Sequence, residues 1–266
     1  MLFWLSLIIA LGAVIGSIVH LDQEASTYYD AVALFVVFGG TFAVSISTFP
    51  WEMRSDVLAA VRALLKSPRT QWPLIIQDGI TLVRLHASAQ AMSALRSEGL
   101  ARTTYNDGIE LLGLGFEAEA IEVILSERIR QRTERQVRVA NAIRSLAKYP
   151  PAFGLVGTVL TLVSLMRSIA GGATSQQAGL TMAVALVATL YGLLLANLFI
   201  NPAGERVLNR AQFEAKEGEL ALQAVLLAAR EIPLLQAQEF LNSFVPDHNR
   251  VSVLNQGRAA KAKEAA

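Results

Sequence analysis

Two threonines, Thr158 and Thr189, stand inside long uncharged stretches, and their hydroxyls are suited to meet an ion or a water there. Such a hydroxyl can bond its own helix or glue a neighbouring one, for about 1 kcal/mol. It can also relay to water or replace part of an ion's hydration shell. The neighbours favour the second use. Gly154 and Gly157 lie four and one residues before Thr158, and Gly192 lies three after Thr189. Glycines let helix backbones approach closely, and a spacing of three puts Thr189 and Gly192 on a similar helix face. Thr161, Ser164, Thr181, Tyr191, Asn197 and Asn201 add further polar groups without charge. Prolines mark the ends. Pro150 and Pro151 open the first stretch, where a helix N-terminus tolerates them. Pro202 closes or kinks the second, freeing a backbone carbonyl. The plain reading of these prolines is helix punctuation; the functional one is a hinge or a polar constriction at a channel mouth.

What is missing is equally informative. No apolar stretch holds Asp, Glu, Lys, Arg or His in its interior, and Asp30 and Arg167 sit at edges. Ionisable groups inside a membrane mark ion pathways, so a conducting chain of this kind needs a carboxylate from a partner. No Ser–His or paired-Asp set and no zinc motif lies in the stretches, so the chain does not read as an enzyme. Cysteine is absent, and the histidines, His20, His86 and His248, are far apart, so no metal centre or cofactor is expected. A net charge of +1 gives no basic field for nucleic acid.

The elements that carry these residues are four apolar blocks, at 2–19, 31–50, 149–166 and 178–202. A helix needs about 20 mostly apolar residues to cross the hydrocarbon, with a range of roughly 17–25. Charged residues make up 17% of the chain, against about 25% in a soluble domain, and mean hydropathy is +0.42. The first block has no Lys or Arg before it and no A-x-A after it, so it reads as a retained span rather than a signal peptide. Of the 23 Lys and Arg, 14 fall in 51–148 and eight follow Pro202, while the connector 19–30 has none and 167–177 has only Arg167. The positive-inside rule then puts both ends and the middle segment in the cytoplasm of an inner-membrane protein.

The expected fold is an all-α membrane protein, with four transmembrane helices and a cytoplasmic helical domain. Its division is a hairpin of spans one and two at 1–50, a cytoplasmic domain at 51–148, spans three and four at 149–202, C-terminal cytoplasmic helices at 203–254 and a disordered tail at 255–266. Pro73 sits where a helix would open, and the run 72–100 is apolar at helical spacing, with Leu74, Ile75, Leu82, Leu85 and Met92. Gly113 and Gly115 punctuate the chain. From Glu117 to Lys148 no Gly or Pro occurs, which predicts a helix of roughly 45 Å running directly into span three. A second one, at 204–230, extends span four. Dense mixed charge at 127–138 reads as a solvated helix face.

The segment Pro151-Ala-Phe-Gly-Leu-Val-Gly-Thr158, continued by Val159-Leu-Thr-Leu-Val-Ser-Leu-Met166, resembles span three of the MotA/PomA flagellar stator A subunits, within the MotA/TolQ/ExbB superfamily. Met182-Ala-Val-Ala-Leu-Val-Ala-Thr189-Leu-Tyr-Gly192, through Asn201-Pro202, resembles their span four, and Val37-Phe-Gly-Gly-Thr41 fits their span two. The resemblance implies that Thr158 and Thr189 line an ion path. It implies that Pro151 lies near the ion-carrying Asp of a B-subunit partner and that Pro202 takes part in coupling. It further implies five A subunits around a B-subunit dimer, H+ or Na+ as the transported ion, and a flagellar rotor protein as the cytoplasmic partner. Two departures stand out. Sodium-type members often have adjacent threonines where this chain has Ala188-Thr189. The family's rotor-facing base and acid fall on Ser88 and Arg96, or on Glu98 for the acid in a shifted register. Competing readings are a TolQ/ExbB-like energiser of outer-membrane or gliding machinery, commonly with three spans, and a passive membrane scaffold.

Overall fold

The computed structural model describes residues 2–20, 28–64, 71–85 and 89–252. All regular structure among them is helical, and the chain divides into two compact units.

The first unit takes residues 1–67 and 137–208. Helix α1 spans Leu2–His20, and α2 spans Ala31–Thr48. Asp30 caps α2, its carboxylate accepting the Ala33 N–H at 2.5 Å. A π turn, Phe35–Gly39, widens α2 midway. Helix α3 (Trp51–Ala63) follows Pro50. Its Met53, Val57, Ala60 and Leu64, spaced three and four apart, pack on Val139, Ala140, Ile143 and Val207. Beside them Gly204 meets the Arg144 N–H and the Ala140 carbonyl, where a Cβ would stand 3.1 and 3.3 Å away.

This unit is apolar on its outside. Val32, Phe35 and Phe42 of α2 are exposed, as are Ile8, Ile9, Ile15 and Val19 of α1. Exposed apolar patches of such extent do not persist in water. Three described helical stretches are long and apolar enough to cross a membrane: Ala31–Thr48, Ala118–Ala170 and Ser175–Ala229. The N-terminal helix adds a shorter apolar stretch, Ile8–His20.

The second unit takes 68–136 and 209–266. It comprises α4 (Trp72–Arg84), α5 (Ala89–Ala94), α6 (Gly99–Gly113), the first part of α7 (Ala118–Leu146), and segments of the later helices. Its core joins Ile75, Ile76, Leu82, Tyr105, Leu125, Leu220 and Leu241; each such apolar side chain contributes about 2 kcal/mol by leaving water. Pro73 occupies the first turn of α4. The run 72–100 is not one helix. Residues 95–98 lie outside regular structure between α5 and α6: the buried Asp78 carboxylate takes the Arg96 and Ser97 N–H groups, and Gly99 follows at φ +66°. On α7, Arg130 bridges Glu127 and Glu134 at 2.6 and 2.5 Å, all three roughly half-exposed.

The long helices run on as expected, into span three and out of span four, with two local departures. Helix α7 ends at Leu146, and a turn at 147–148 separates it from α8 (Tyr149–Ala170). Pro150 and Pro151 have no N–H to bond back four residues, so the helical ladder restarts there. Pro202 does not close its helix. Helix α9 (Ser175–Leu194) passes through a π turn, Leu195–Ile200, and continues as α10 (Asn201–Ala229). The widened turn before Pro202 makes room where the ring would clash with the preceding carbonyl. A last helix, α11, spans Leu234–Asn242.

Glu217 on α10 is nearly buried in the second unit. Burial pushes its carboxyl above the ordinary 4.5, and a backbone hydrogen bond from Gln71 partly opposes this. An acid with a raised folded-state pKa favours folding below its unfolded value and loses that contribution as pH rises through the folded one. Glu217→Gln is therefore expected to stabilise the protein at pH 7 and to leave stability unchanged near pH 4. Thermal unfolding in detergent at the two pH values measures the difference.

Candidate functional site

Helices α8 and α9 form an antiparallel hairpin. Gly171 and Gly172, the latter at φ +88°, turn the chain between them. Thr174 then caps α9: its hydroxyl accepts from Gln177 N–H at 3.3 Å, and Gln177 Oε1 accepts from Thr174 N–H at 3.1 Å.

The two helices touch through small residues. The buried positions are Pro150, Gly154, Gly157 and Leu165 on α8, and Ala185, Val187, Ala188 and Gly192 on α9. A Cβ at Gly154 would stand 2.8 Å from the Ala188 carbonyl oxygen and 3.0 Å from Thr189 Cα. One at Gly157 would stand 2.9 Å from Ala188 Cβ. Gly192 faces the Pro150 carbonyl, with Pro151 Cα 3.0 Å from where a Cβ would be. In lipid, where no hydrophobic force joins helices, close approach of this kind is what holds them. Helix α2 packs on the same hairpin, Gly40 lying against the Phe153 ring.

The two threonines differ. Thr158, half-buried, donates to its own helix at Leu155 O, 2.6 Å away. Thr161 likewise donates to Gly157 O at 2.9 Å. The half-buried Thr189 hydroxyl makes no hydrogen bond among the described residues. It follows Ala188, beside the Gly154 contact. Pro151 and Pro202 are both half-buried. Asn197 and Asn201, in and just after the π turn, pair through their side-chain amides at 3.4 Å.

Two residues join this set that sequence reasoning left at the margin. Asp30, at the edge of its block, lines a cavity with Val36, Gly157, Leu160, Thr161 and Ala188, so it also lies against the hairpin. Tyr191 fixes it there: its hydroxyl donates to the Tyr28 carbonyl and accepts the Asp30 N–H at 3.4 Å. The signal available was weak, a lone acid opening an apolar block and a lone Tyr in another. The rotor candidates lie in the second unit. Arg96 and Glu98 are exposed on the 95–98 segment, while Ser88 lies outside the described residues.

An outwardly apolar helical unit with a glycine-packed hairpin is the build of a membrane-embedded helical protein. Residues 96–219 match the profile of the MotA/TolQ/ExbB proton channel family. It is 26% identical over 254 residues to Motility protein A of Treponema phagedenis, covering 91% of each chain. It is 26% identical over 243 residues to the Vibrio alginolyticus chemotaxis protein PomA, covering 90% of each. The fold is that of a chain in the C. jejuni MotAB structure, at a TM-score of 0.81 and 16% identity over 94% of this chain and 98% of that one.

Proposed function

We propose that this chain is the A subunit of a flagellar stator, which turns ion flow across the inner membrane into rotation together with a B subunit. The observation that carries the reading is the hairpin: two helices in backbone contact at Gly154 and Gly192, with the Thr189 hydroxyl unclaimed beside them. The relatives named motility protein and PomA support it. Spans three and four contain only uncharged polar groups, so the B-subunit span supplies the Asp that binds H+ or Na+. Each charge that crosses 100 mV releases about 2.3 kcal/mol. Thr158 and Thr189 receive the ion, and Pro151 and Pro202 transmit the change.

In this reading α1 completes a four-span topology with both ends cytoplasmic. Residues 51–148 and 203–254 form the cytoplasmic part, five copies surround a B-subunit dimer, and Arg96 and Glu98 face the rotor. The test is co-expression with a one-span, Asp-bearing B subunit in a host lacking its own stators. Co-purification, ion flux and restored swimming are expected. A chain that co-purifies with no B subunit, or a complex that passes no ions, overturns the proposal.

A further inference from the structure

Residues 95–98 carry the two exposed charges, and their backbone is held by side chains from elsewhere in the unit. Asp78, on α4, is 2% exposed. Its carboxylate accepts the Arg96 N–H on both oxygens, each at 3.0 Å, and the Ser97 N–H at 2.7 Å. The next N–H, of Glu98, donates to Gln71 Oε1 at 2.9 Å. From the far side, the Arg102 guanidinium donates to Leu95 O at 2.5 Å. Three successive N–H groups and the carbonyl before them are thus all taken by side chains from other parts of the unit.

A carboxylate buried without a cation is costly unless charge-assisted hydrogen bonds satisfy it. Among the described residues no cation pairs with the Asp78 carboxylate; three N–H···O bonds to this one segment serve instead. The buried Tyr105 hydroxyl donates away, to Ile75 O at 2.7 Å. Along the segment, Leu95 and Ser97 are buried while Arg96 and Glu98 are exposed, the alternation of an extended chain. Neither Arg96 nor Glu98 has an ion-pair partner among the described residues. The backbone is fixed, and the two opposite charges stand exposed two residues apart on it.

We propose that Asp78, assisted by Gln71, is a positioning residue that holds this segment as a pre-organised docking loop. Its partner is a protein surface bearing a carboxylate for Arg96 and an amine or guanidinium for Glu98. This rests on the reading of the segment as partner-facing. Fixing a loop before binding removes the ordering cost from association, and charges at such a surface set register and choice of partner.

The experiment compares wild type, Asp78→Asn and Gln71→Ala in the full chain with its B subunit. Hydrogen exchange is read on the purified complex, and ion flux and swimming speed in cells. Asn keeps the shape but turns an amide N–H₂ towards backbone donors. Exchange at 96–98 is expected to rise about tenfold or more, with α4 and α6 unchanged. Swimming should be lost while ion flux stays at the wild-type level. Gln71→Ala should act in the same direction, confined to Glu98. Unchanged exchange at 96–98 overturns the clamp. Faster exchange spreading through α4 and α6 overturns it too, by making Asp78 a plain core residue. A loosened loop with normal swimming overturns the docking role. Wild type that passes no ions overturns the stator reading instead, and leaves the exchange result to decide the clamp.

Discussion

Gly192→Val should be the most damaging single change in the first unit, destabilising it by about 3 kcal/mol or more. The atoms a Cβ would meet are the Pro150 carbonyl and Pro151 Cα, all main chain. A side chain in the way can change rotamer, whereas a carbonyl at the first turn of a helix moves only if the helix moves. The double proline stiffens that turn further. Gly154→Val should follow closely, because it also meets backbone, at Ala188 O and Thr189 Cα. Gly157→Ala should cost less, since only the Ala188 methyl opposes it. Thermal unfolding of the detergent-solubilised chain gives the ranking. Equal tolerance at the three positions would mean that α8 and α9 are not held by backbone contact.

Thr189→Val should reduce ion flux about tenfold, the worth of one polar contact of roughly 1.4 kcal/mol, and Thr158→Val should reduce it less. Both substitutions keep the volume and remove the oxygen. The asymmetry lies in the bonds each hydroxyl already makes. Thr158 donates to Leu155 O, so only its lone pairs remain for an ion or water. Thr189 makes no such bond among the described residues, which leaves both its donor and its acceptor. The double replacement should nearly abolish flux, and Thr→Ser at either site should retain most of it. Flux is best measured in proteoliposomes holding the complex with its B subunit, under an imposed H+ or Na+ gradient. Wild-type flux in the double variant would remove both hydroxyls from the path.

Much of this protein is readable from where charge is absent. The apolar blocks are long and their edges sharp, so the hairpin of α8 and α9 follows from composition. The glycines stand out because small residues cluster around a hydroxyl, but which backbone atom each one meets is a matter of helix phase. Asp30 and Tyr191 could not be paired, since they are 161 residues apart and a lone acid before an apolar block looks like a cap. It is a cap, through Ala33, and it also lines the cavity. Residues 72–100 keep helical apolar spacing across a real break, because Ala91 and Leu100 stay buried on either side of it. The Asp78 clamp on it comes from eighteen residues away, where local periodicity carries no trace of it; the local mark is Gly99, at φ +66°.

The π turn at Leu195–Ile200 has a geometric result in the phase of its helix. Gly192 meets Pro150, and Gly204 meets Arg144 and Ala140. On a straight α-helix these two glycines, twelve positions apart, would point about 120° away from each other. One extra residue in a single widened turn leaves an effective spacing of eleven, within about 20° of alignment. The turn therefore works as a phase corrector. It lets one continuous rod present a notch at two heights to the same neighbouring stretch of chain, the end of α7 and the start of α8.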